Sequence, residues 1–255
     1  MKKTHLYLLA LFIAVLAGSA IYYKWSVLKF PLKPAATVEV WTVQTRVEYQ
    51  PRRGPNTVTL QLPSRTPGFA VIDERFVARN YSKLEETRDN EREVQWAIRR
   101  ATGNQILYYR ATVVRSEESG PPTLDFPATL APPPVLGEAE AIAAQTLLDD
   151  VREQSASIVT YARELVRRFG EGSTSAEAAL LSEGLATPEA RTTFMAQLLG
   201  VRNIPARVVH GLRLGETETR GGLQPWLAVF NGTAWTLIDP RTAAEGFPSD
   251  FFLWH

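Results

Sequence analysis

The chain has 255 residues, 45% of them hydrophobic and 22% charged, with a formal net charge of +1. That composition suits one large folded domain or two small ones and carries no basic surplus of the kind that binds nucleic acid. There is no cysteine, and the histidines are His5, His210 and His255. Disulfides, thiolate ligands and a thiol nucleophile are therefore excluded, and a multi-His zinc site is not expected.

Met1-Lys2-Lys3 is a short basic start, and the uncharged run Leu6–Tyr23 approaches the roughly 20 residues a helix needs to cross a bilayer. Tyr22, Tyr23 and Trp25 follow where aromatic residues sit among lipid headgroups. Residues 1–30 read as an uncleaved N-terminal transmembrane anchor. The other reading is a signal peptide processed near Gly18 and Ala20, although the apolar run exceeds the usual ~7–15-residue core of such peptides. A basic start that stays inside puts the soluble body outside the cytoplasm. Pro31–Ala35 is a short stiff spacer.

Strand character follows. Thr37–Tyr49 alternates, Arg52–Asn56 is a turn signal, and Asn56–Pro63 alternates again. Further strands are expected in 68–79, 91–100 and 104–114. Together they predict an antiparallel β-sandwich over 36–116 whose interleaved charges form a solvated face. Residues 117–138 hold six prolines and two glycines and read as a linker.

Helical patterning begins at Ala139. Ala139–Gln154 places Ile142, Thr146 and Val151 at candidate inward positions, and 155–170 does the same with Ile158, Tyr161, Leu165 and Phe169. Thr174–Glu177 reads as a capping box. Thr187-Pro188-Glu189 is a helix start: a threonine cap, proline at the first helical position, an acid in the first turn. Phe194, Met195, Leu198, Leu199 and Val201 follow on that helix. The remainder, 139–255, returns to strands at Ala206–Leu214 and at Leu223–Pro240, an apolar ribbon broken by Asn231-Gly232. A two-residue Asn-Gly loop sets Gln224 opposite Asp239, and a ribbon apolar on both faces is expected to be an inner element.

Asn203–Val209 (NIPARVV), Gln224–Trp226 (QPW) and Trp235–Pro240 (WTLIDP) resemble the transglutaminase-like, papain-related core. In that core a helix-initial Cys is the nucleophile, a His is the base and an Asp orients the imidazole. The resemblance places the Cys position at Thr187 and Pro188, the His position at Gln224 and the Asp position at Asp239. The whole chain, through Leu62–Pro67, Gln105–Ala111, Ala206–Leu212 and LQPW, is similar to the bacterial family of inactive transglutaminases fused to seven transmembrane helices. That resemblance implies an α+β fold: anchor, β-sandwich, then an inactive transglutaminase-like domain. It also implies a seven-helix membrane partner, or a C-terminal bundle on sequence beyond His255. It further implies association with ATP-grasp ligases of the glutamate-adding type and with retropepsin-like proteins.

An amide has no useful basicity near neutral pH, so Gln224 cannot replace an imidazole. Thr187 is read as a helix cap and His210 as a structural histidine. The expected function is that of a membrane-anchored pseudoenzyme without cofactor or metal, holding a peptide or protein segment near Thr187, Gln224, Trp226 and Asp239. Two alternatives stand beside it. One is an amidohydrolase with a Ser or Thr nucleophile and His210 as base, for which Ser182–His210–Asp239 is a paper arrangement. The other is a structural module docking on membrane helices.

Overall fold

The computed structural model describes residues 5, 12–13, 15, 19, 39–64, 66–88, 91–116, 124, 126–170, 172–215 and 221–254. The anchor expected over residues 1–30 lies almost wholly outside them. His5, Phe12, Ile13, Val15 and Ser19 are helical, and the Ser19 hydroxyl donates to the Val15 carbonyl at 2.8 Å. No helix among the described residues is long and apolar enough to cross a membrane.

Val40–His255 forms a second unit, of α+β class. Its first half pairs two antiparallel sheets. One has the order β1 (Val40–Tyr49), β6 (Gln105–Arg115), β3 (Phe69–Val77); the other has β2 (Asn56–Leu62), β5 (Glu91–Ile98), β4 (Ser82–Arg88). Val43, Leu107 and Tyr109 from the first and Leu62, Val94 and Trp96 from the second meet in one core. A charged cluster ties the sheets across it. Glu74 on β3 accepts from Arg92 on β5 at 2.8 and 3.3 Å and from the buried Tyr109 hydroxyl at 2.5 Å. Strand β4 escapes sequence reading because SKLEETR is exposed at every position, as a charged edge strand can be.

The Pro-rich stretch does not hang free where it is described. Leu124 is buried, and the Ala131 backbone lies so close to Gly200 that a Cβ there would come within 2.5 Å of the Ala131 carbonyl oxygen. Four helices follow: α1 (Glu138–Glu153), α2 (Ile158–Phe169), α3 (Ala176–Ser182) and α4 (Pro188–Val201). The inward stripe of α1 differs from expectation. Ala143, Ala144, Leu147, Leu148 and Val151 are buried, whereas Ile142 and Thr146 face out. Adjacent pairs repeating every four residues make a wider apolar stripe than one centred on Ile142. Helix α3 is capped by Ser175, whose hydroxyl accepts from the Ala178 N–H, rather than by Thr174. Helix α4 starts as its sequence predicts, with Thr187 as cap and Pro188 first. Phe194, Met195, Leu198 and Leu199 are buried, while Val201 is exposed.

The helices cover one face of a four-stranded antiparallel sheet ordered β10 (Phe251–Leu253), β7 (Ala206–Arg213), β8 (Gln224–Phe230), β9 (Trp235–Ile238). Strand β8 is buried on both sides: Leu227 and Val229 join the helical core, and Trp226 and Ala228 join a cluster on the opposite face. Strand β10 is also two-sided. Phe251 and Leu253 enter that opposite cluster, while Phe252 and Trp254 enter the core of the paired sheets. Alternation along a strand thus fastens the two halves of the unit.

Candidate functional site at the end of the β7–β8–β9 sheet

The β8–β9 register differs from expectation. Leu227 opposes Ile238, Ala228 opposes Leu237, Val229 opposes Thr236 and Phe230 opposes Trp235. A two-residue Asn231-Gly232 loop would require positive φ at both residues, but only Gly232 (φ 103°) has it. Asn231 instead turns its side chain into the loop. Its Oδ1 accepts from the Thr233 and Ala234 N–H groups, both at 2.9 Å, and its own N–H bonds the Ala234 carbonyl. The connection therefore spans Asn231–Ala234, and the resulting two-residue shift removes the expected pairing of Gln224 with Asp239.

Gln224 and Asp239 do not oppose each other in the ladder. Arg241 lies between them, donating from Nη2 to Gln224 Oε1 at 3.4 Å, with its Nε 3.6 Å from Asp239 Oδ1. Asp239 is only 5% exposed. It organises the turn after β9: Oδ1 accepts the Arg241 N–H at 2.9 Å, its N–H donates to the Ala244 carbonyl, and its carbonyl accepts from Ala243. Arg163 of α2 braces the same turn through the Ala243 carbonyl and Glu245. Asp239 thus has a structural role that involves no imidazole.

Thr187 is exposed and its hydroxyl accepts from the Ala190 N–H at 3.1 Å, the ordinary work of a cap. Two residues on, Glu189 reaches β7, where its Oε2 lies 2.8 Å from His210 Nε2. His210 opposes Pro225 on the helix-covered face, against which the α4 amino terminus lies, whereas its neighbour Gly211 opposes Gln224 on the other face, the one that carries Trp226. Ser182, His210 and Asp239 do not come together by any hydrogen bond or ion pair among the described residues. The Ser182 hydroxyl donates to Ala178 within its own helix, His210 pairs with Glu189, and Asp239 serves its turn. Trp226 is 2% exposed and packs on Phe251 with ring centroids 4.7 Å apart. It belongs to the core beneath the site.

Sequence reasoning missed Glu189, Arg241 and the pair Arg213–Asp250. Arg213 donates twice to Asp250, at 2.9 and 3.0 Å, which with the more distant Asp239 charge holds its guanidinium above the usual arginine range. The one available signal was Asp239-Pro240-Arg241, a short turn able to fold an arginine back on its own aspartate. Among the described residues no group of three or more His, Asp or Glu side chains is arranged to hold a metal ion.

Residues 23–185, well over half of the chain, match the model of a family described as inactive transglutaminase fused to 7 transmembrane helices. No curated protein matches in sequence. Among solved structures, the chain is similar to a candidate cysteine protease from Cytophaga hutchinsonii, with a TM-score of 0.54 and 14% identity over 86% of this chain and 81% of that one. A candidate protease from Parabacteroides distasonis also matches, at 11% identity over 80% of this chain and 47% of that one, with a TM-score of 0.25. The first likeness shows a shared fold; the second carries no weight.

Proposed function

The chain belongs to the family of inactive transglutaminases fused to seven transmembrane helices, and from that premise we propose that its transglutaminase-like core binds a peptide or protein segment instead of cleaving or joining one. The segment lies at the sheet end beside Gln224, Arg241 and Asp239, over a floor that includes Trp226, with Thr187 at the same end of the sheet on its helix-covered side. Leu6–Tyr23 anchors the protein in the membrane, with its body in the periplasm.

The reading rests on one observation. Where the resemblance places an imidazole, Gln224 and Asp239 instead flank a single guanidinium, that of Arg241. A cation there cannot accept a proton, and an amide near neutral pH does not. Thr187, where the nucleophile belongs, has its hydroxyl engaged as a cap. The exposed Arg241, with Gln224, offers donors and an acceptor to a peptide main chain.

Fluorescence polarisation with labelled peptides drawn from a tiled periplasmic library tests this. Gln224→Ala and Arg241→Ala are expected to weaken capture without lowering the melting temperature. Undiminished capture by both variants would remove the groove from the account.

One rival has an observation in its favour. Glu189 orients His210 at the start of α4, so a hydrolase would use that imidazole as base and Thr187 as nucleophile. In that case His210→Ala abolishes amide hydrolysis; in the binding account there is no hydrolysis to abolish.

A further inference from the structure

We propose that the free end of the paired sheets is a second binding surface, which takes an extended acidic segment of a partner protein. Three connections meet at this end: β1 to β2, β3 to β4 and β5 to β6. The registers place them together, since Tyr49 opposes Gln105, Asn56 opposes Ile98 and Ser82 opposes Ala97. Side chains from all three touch: the Tyr49 and Tyr81 hydroxyls are 2.7 Å apart, and Tyr81 donates to Gln105 at 3.1 Å.

Each connection carries exposed arginine: Arg52 and Arg53 on the first, Arg79 on the second, Arg99 and Arg100 on the third. None of the five forms an ion pair with a described residue, and their side chains make no hydrogen bond there. Elsewhere arginines find carboxylates, as Arg92 does with Glu74, Arg168 with Glu164 and Arg213 with Asp250. The acid nearest in sequence to the cluster, Glu48, is already held by Arg46 and Asn104. Lys83 is held by Glu85 and lies over the Phe76 ring. In a chain of net charge +1, five uncompensated guanidiniums on one surface form a local positive field that an anion would relieve.

This end also faces away from the rest of the unit. The bonds from the paired sheets to the C-terminal half lie at the opposite strand ends: Trp41 to Gly215, Arg115 to Ser249 and Trp254 to Gln61. A surface depression lined by Asn80, Ser82, Ala97, Ile98, Arg99 and Arg100 sits among the arginines.

Geometry selects the occupant. The sheet order β1-β6-β3 sets the connections side by side, so the outer ones are two strand spacings, about 10 Å, apart. A single phosphate cannot reach across. An extended peptide repeats its side chains on one face about every 7 Å, so a few residues span the three connections and can offer carboxylates for forked pairs with their guanidiniums. A bilayer is a poorer fit, because the connections offer no exposed Trp, Phe or Leu to enter it.

The test uses the full chain in detergent and fluorescein-labelled octaglutamate, with phosphatidylglycerol vesicles and inorganic polyphosphate as competing probes. Octaglutamate is expected to bind, and to bind less well as salt shortens the Debye length to about 8 Å at 0.15 M. Arg99→Ala/Arg100→Ala should weaken it by roughly two- to fivefold per arginine. Arg88→Ala/Arg152→Ala and Gln224→Ala should leave it unchanged, which separates this surface from the groove. Full binding by the Arg99/Arg100 double variant would overturn the proposal, as would salt-independent binding. Capture of vesicles or polyphosphate but not of octaglutamate would overturn it too.

Discussion

Asp239 stands where the sequence resemblance puts the aspartate of a triad, and its surroundings give it a structural role that can be measured. Its Oδ1 accepts the Arg241 N–H at 2.9 Å in a site only 5% exposed. Asp239→Ala leaves that N–H without an acceptor, a loss of about 1–3 kcal/mol. The ion pair with Arg241 is long, at 3.6 Å, and its arginine side chain is 59% exposed, so its charge adds at most ~1 kcal/mol. Asp239→Asn keeps an oxygen for the N–H and loses only the charge. The Ala variant should therefore fall by about 1–4 kcal/mol, and the Asn variant by less than about 1 kcal/mol. Urea denaturation, comparing midpoints at constant m, reads the difference; by heat, the Ala variant should melt lower by roughly 2–4 °C for each kcal/mol lost. Equal losses in the two variants would refute the argument, because charge rather than turn geometry would then be what the site retains.

Two further outcomes follow from the packing. Gly200→Ala raises helix propensity by about 1 kcal/mol in an unconstrained helix, yet here the new Cβ meets the Ala131 carbonyl oxygen at 2.5 Å. Net destabilisation of about 1–3 kcal/mol is expected in urea titrations; stabilisation would mean that the Pro-rich stretch does not rest on α4. Tyr109 is held well above the ordinary phenol range, first by burial and then by its bond to Glu74, and burial raises Tyr161 as well. A folded-state value above the unfolded one means stability intact at neutral pH and lost as pH climbs past the free phenol value near 10. Unfolding followed against pH should steepen above that point, and Tyr109→Phe should flatten the decline; an identical slope in the variant would count against the burial of this phenol.

What the sequence made legible is what local chemistry decides. The Thr187-Pro188 start of α4 came from cap and proline preferences alone, and the two-sided burial of β8 came from a ribbon apolar on both faces. The register of β8 and β9 did not, because Asn231 chose to bond its own loop rather than sit in a two-residue turn. That choice removed the Gln224–Asp239 pairing, and it is the Arg241 side chain that reaches Gln224. Strand β4 has no apolar alternation, since an edge strand needs none. The short β10 carries residues for two different cores, so neither pattern is complete within it. Glu189 and His210 are 21 residues apart, and only tertiary packing of α4 on β7 joins them.

The central claim is that the site performs no covalent chemistry, and intact-mass analysis after exposure to an alkyl fluorophosphonate tests it most directly. The account predicts an unmodified mass for the wild-type chain. A stoichiometric adduct on Thr187 or any serine, lost in His210→Ala, would contradict it.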